Sequence, residues 1–66
     1  MVIIKSDVDK LLTGLLGNDQ MVIDLWWTTA NISFQGRTPL FVYQKVDNGH
    51  KIVYDYVLKF SLGEYS

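Results

Sequence analysis

Five apolar residues, Val8, Leu11, Leu12, Leu15 and Leu16, recur at i, i+3, i+4, i+7 and i+8, the spacing that gathers side chains into one stripe of an α-helix. Ser6 stands just ahead of this run, with Asp7 and Asp9 behind it. A hydroxyl at the N-cap and carboxylates in the first turn suit the positive end of a helix dipole, and Asp9 takes the acid place of a shortened capping box. Gly17-Asn18 then predicts a left-handed stop. A helix from Ser6 to Leu16 is expected, preceded at Val2-Ile3-Ile4 by a short strand or an apolar lead-in.

Beyond the Gly17-Asn18-Asp19 turn the period changes. Met21, Ile23, Leu25 and Trp27 alternate with Val22, Asp24, Trp26 and Thr28 in a stretch rich in β-branched and aromatic residues. That pattern predicts a strand whose first set points inward and whose second set carries Trp26 outward beside Asp24 and Thr28. A helix from Asp19 to Ala30 is the competing reading, and it would group Val22, Ile23, Trp26, Trp27 and Ala30. A second strand is expected around Ile32 to Phe34, and a turn at Gln35-Gly36-Arg37 before Pro39. Leu40 to Val46 and Lys51 to Phe60 read as two further strands joined across Asp47-Asn48-Gly49, a strong hairpin signal. A three-residue loop there pairs Val46 with His50. It places Leu40, Val42, Val46, Ile52, Tyr54, Tyr56 and Leu58 on the core face, and Phe41, Tyr43, Lys45, Lys51, Val53, Asp55, Val57 and Lys59 on the solvent face. The expected fold is α+β: one N-terminal helix packed on one face of a 3–4 stranded antiparallel sheet with a C-terminal hairpin, all within a single small domain over residues 1–66.

Length sharpens the picture. A chain of 66 residues buries only about 60% of the surface its unfolded form exposes, and domains of this size usually carry a disulfide, a metal or a second copy of themselves. There is no cysteine and one histidine, so a disulfide and a cysteine-bound zinc are excluded. A dense aromatic core or self-association is left, and 48% hydrophobic content serves either. The six basic residues are scattered, and the formal net charge is -1. That lacks the basic stripe from which non-specific nucleic-acid affinity arises. No run approaches the roughly 18 apolar residues of a membrane span, and the first residues lack the features of a secretory signal. A cytoplasmic protein with no membrane partner is expected.

Catalytic chemistry is sparse. His50 has Asp47 and Asp55 near it in sequence but no second nitrogen or sulfur ligand, and Ser33, His50 and Asp24 have no spacing that suggests a triad. Gly14 and Gly17 close a helix where a phosphate-binding loop would open one. No catalytic residue, cofactor or metal site is expected. The candidate partner-binding residues are Trp26, Phe41 and Tyr43 as an aromatic platform on the outer sheet face, with Arg37 as a loop-tip anchor and Lys45 beside them. The expected function is a small non-enzymatic protein-interaction module that binds a larger protein through that face. It would serve as an accessory factor or inhibitor of the phage or mobile-element type, and as a homodimer. The alternative is a single-stranded nucleic-acid-binding module stacking bases on Trp26, Phe41 and Tyr43, with Lys45, Lys51 and Lys59 toward the backbone.

Overall fold

The structure is a computed structural model in which residues 4–62 are described. Most of the expected lead-in and the end of the chain, Tyr65 included, lie outside that range. Among the described residues there are four helices, α1 (Lys5–Leu16), α2 (Gln20–Thr28), α3 (Pro39–Lys45) and α4 (Gly49–Ser61), and one 3-10 turn, Ile32–Phe34. There is no strand. The only β-type pairing among these residues is an isolated antiparallel bridge between Asn31 and Arg37. The α+β expectation, with its antiparallel sheet and C-terminal hairpin, is therefore replaced by an all-helical domain.

The helix over residues 5–16 is where the stripe predicts it, but its start differs in detail. Ile4 is the N-cap, Ser6 lies inside the first turn, and it is Asp7, three residues past the cap, whose carboxylate accepts the Ile4 N–H at 3.2 Å. Asp9 is left for a different task. Gly17 ends the helix at φ 90°, a region open to glycine because it has no Cβ.

The segment expected to be the first strand is α2. Asp19 caps it, its side chain accepting the Met21 N–H at 3.0 Å, and Gln20 donates to Asp24 one turn on at 2.9 Å. Its buried residues are Ile23 and Trp27, one helical turn apart. The competing helical grouping thus prevails over strand propensity, which measures fit to a half-buried sheet surface and lapses where no sheet exists. The expected third strand is α3. Thr38 caps it by accepting the Phe41 N–H at 3.1 Å, and Pro39 occupies the first turn, where its missing N–H costs nothing and its fixed φ is already helical.

Asn48-Gly49, the heart of the hairpin signal, joins two helices instead. Asn48 takes the left-handed conformation at φ 59°. Gly49 opens α4 against the end of α3, so closely that a Cβ there would overlap the Val42 carbonyl oxygen. The register also reverses: Val53 and Val57, expected in water, are 0% and 1% exposed, while Ile52, expected in the core, is 40% exposed. Residues four apart share one face of a helix but adjacent residues do not.

Helix α4 packs against both α1 and α3, and α2 packs against α1 and α3. Val8, Leu12, Ile23, Trp27, Phe34, Val42, Val53 and Val57 meet in the centre. Phe34, carried in by the 3-10 turn, lies 4.9 Å from the Tyr56 ring and closes the core between the α2–α3 connection and α4. No helix among the described residues is long and apolar enough to cross a membrane.

Candidate functional site

Trp27 organises the interior of α2. Its ring is buried, and its Nε1–H donates to Asp9 Oδ1 at 2.7 Å. Lys5 Nζ lies 4.9 Å from the ring centroid and 3.3 Å from Asp9 Oδ2. Tyr43 meets the indole edge-on at 5.5 Å. A buried indole N–H needs a partner, and Asp9 meets that need while its second oxygen stays paired with Lys5.

Trp26 is turned about 100° further round α2 and presents its ring nearly perpendicular to Trp27, with centroids 5.2 Å apart. It is half-buried. With Leu12, Leu15 and Leu16 of α1 and Tyr56, Val57 and Phe60 of α4 it lines a cleft of about 320 Å³. The only polar side-chain atoms in that lining are the indole nitrogen and the Tyr56 hydroxyl. Leu15, Leu16 and Phe60 belong to the exposed rim. The α1 stripe therefore divides in two: Val8 and Leu12 are buried, while Leu15 and Leu16 stand in the cleft wall.

The apolar surface goes on over α2. Val22 precedes Trp26 by one turn and is exposed, and Met21 and Leu25, also one turn apart, are 73% and 57% exposed. Of the nine residues of α2 only Gln20, Asp24 and Thr28 are polar. A helix apolar round most of its circumference is ordinarily buried on all sides; α2 is buried on one.

The aromatic platform expected from Trp26, Phe41 and Tyr43 does not assemble, because Phe41 and Tyr43 lie two residues apart on a helix rather than on a strand and so face opposite ways. Tyr43 points inward, half-buried between Trp27 and His50, whose ring centroid is 4.2 Å from its own. Phe41 is exposed with the Arg37 guanidinium 5.4 Å from its ring centroid, and Lys45 follows one turn later on the same outer face. Five expected residues thus occupy three places: Trp26 in the cleft, Tyr43 beside the core, and Phe41 and Lys45 on the outside of α3 with Arg37 just ahead of it. Lys51 is paired with Asp55 at 2.9 Å. His50 is exposed, and among the described residues no three metal-ligating side chains come together.

The cleft residues that sequence reasoning missed, Leu15, Leu16, Tyr56 and Phe60, did have a signal. Ile52, Val53, Tyr56, Val57 and Phe60 fall at i, i+1, i+4, i+5 and i+8, a helical stripe two residues wide. Comparison of the chain with protein-family models, with curated proteins and with solved structures gives no match. The cleft is accordingly interpreted from its own chemistry.

Proposed function

We propose that the chain is a non-enzymatic interaction module that binds a larger protein by taking apolar side chains of that partner into the cleft walled by Trp26. The observation that carries this reading is the lining itself: four aliphatic and three aromatic residues around about 320 Å³, with no carboxylate, imidazole, ammonium or thiol among them. Apart from the Tyr56 hydroxyl, such a wall has no group to move a proton or attack a carbonyl, and it has no set of ligands for a metal. It does reward apolar burial, at about 1.5–3 kcal/mol for each large side chain removed from water. Tryptophan and tyrosine are the residues most often found at the energetic centre of protein interfaces.

The space between two helices suits an amphipathic partner helix inserting side chains at i and i+3 or i+4. On size and chemistry the module belongs with small accessory factors or inhibitors working in the cytoplasm. The test is selection of binders from a display library of amphipathic helical peptides, run in parallel on the wild-type chain and on Leu15→Asp. The expected result is enrichment of peptides with paired apolar anchors that bind the wild type alone and shift Trp26 emission in a Trp27→Phe background. Binders indifferent to Leu15→Asp, or no enrichment at all, would refute the cleft as the docking site. A parallel titration with single-stranded oligonucleotide at low salt is expected to show no binding; tight binding there would put base recognition in its place.

A further inference from the structure

A second surface carries an inference independent of the cleft. Between Leu11 and Gly36 the only charged residues are Asp19 and Asp24, and between Leu25 and Val46 the only ones are Arg37 and Lys45. The segment holding α2 is thus purely acidic and the segment holding α3 purely basic. Each presents exposed apolar surface beside its charge: Met21 and Leu25 with Asp24 on α2, and Phe41 with Lys45 on α3 and Arg37 just ahead of it. The two ion pairs among the described residues, Lys5–Asp9 and Lys51–Asp55, leave Asp24, Arg37 and Lys45 without an opposite charge.

We infer that two copies of this chain associate with the outer face of α2 of each copy laid on the outer face of α3 of the other. Met21 and Leu25 meet Phe41, and Asp24 meets Arg37 and Lys45. An α2-to-α2 pairing would instead set acid against acid, and an α3-to-α3 pairing base against base. Because α2 and α3 are neighbours in the fold, one two-fold axis can satisfy both contacts, as an isologous dimer requires. A standard interface takes about 800 Å² from each partner, which is about a sixth of this chain's surface of 4591 Å², or one whole side of a body 28 × 25 × 25 Å. Helices α2 and α3, of nine and seven residues, form the centre of such a side. A net charge of -1 opposes association only slightly.

The test is a charge swap read by sedimentation velocity over a wide concentration range. The wild type is expected to dimerise, and Asp24→Lys and Lys45→Asp each to weaken the dimer at least about tenfold. An equimolar mixture of the two variants is expected to form a heterodimer tighter than either variant alone, since one of its two contacts keeps the native charges and the other reverses positions 24 and 45 together. Both positions are exposed, and unchanged thermal unfolding of the variants verifies that only association was altered. A wild type monomeric at every concentration, a dimer indifferent to both reversals, or a mixture no tighter than its components would overturn the inference. None of these results bears on peptide binding in the cleft, whose residues are left intact.

Discussion

On one side of α2, Trp27 is fixed by a 2.7 Å hydrogen bond to Asp9, by the Lys5 ammonium over its ring and by edge-on contacts with Trp26 and Tyr43. On the other side Trp26 leans on Trp27 and otherwise meets the aliphatic and aromatic wall of an open cleft. The two residues are adjacent in sequence and identical in chemistry, so position on the helix alone separates the buried ring from the half-buried one. Every polar need of Trp27 is met internally. Trp26 is only half-buried, and part of its ring stays open to the cleft.

The largest expected effect follows directly. Trp27→Ala removes the central core side chain and the donor to Asp9, and a loss of about 3–5 kcal/mol is enough to unfold a chain whose total stability is of the same order. Trp26→Ala should cost about 1 kcal/mol, as ordinary part-buried positions do. Urea unfolding followed by far-ultraviolet circular dichroism measures both, and equal losses would erase the distinction between the two sides.

The two glycines at helical positions repeat the contrast. Gly49 sits in the tight seam between α3 and α4, where an added Cβ runs into Val42 backbone, while Gly14 has nothing within 4 Å of such an atom. Gly49→Ala should therefore destabilise by about 1–3 kcal/mol, the usual cost of overpacking. Gly14→Ala should stabilise by about 1 kcal/mol through helix propensity alone. Opposite shifts in melting temperature are the expected reading, and a stabilising Gly49→Ala would show that α3 and α4 meet less closely than the seam implies.

The same contrast explains what was legible in the sequence. The α1 stripe was readable because five leucine and valine positions repeat with one period and no other. Alternation in Met21 to Thr28 was ambiguous, since a run with so few polar residues fits period two and period 3.6 alike; Met21, Val22 and Leu25 are apolar on the exposed side of α2 as well, and that blurs the pattern. For α3, the helix start was written in Thr38-Pro39 and in Pro39, Val42, Tyr43 and Val46 at i, i+3, i+4 and i+7, yet Asn48-Gly49 pulled the reading toward a hairpin. Asn48 does adopt the left-handed conformation that such a dipeptide favours. Local turn chemistry fixes that residue's backbone without fixing whether strands or helices flank it. Trp26 was identified as outward-facing, but Leu15, Leu16 and Phe60 could join it only once α1 and α4 were seen to lie side by side.

A modest effect on stability carries the sharpest test of function. Leu15 is 43% exposed on the rim of the cleft, so Leu15→Asp keeps its carboxylate within reach of water; with leucine's partial burial and helix propensity lost in the last turn of α1, the fold should be destabilised by about 1 kcal/mol. A carboxylate there would nevertheless have to be desolvated by any apolar side chain entering beside Trp26, and an unpaired charge buried at an interface is among the most unfavourable changes a contact can suffer. Leu15→Asp should thus still unfold cooperatively, about 4–8 °C below the wild type, while binding of a selected apolar peptide, followed by Trp26 emission, is lost. Loss of folding together with binding would instead assign Leu15 to the core beside Leu12, and the boundary between the structural and the binding side of this molecule would move outward by one helical turn.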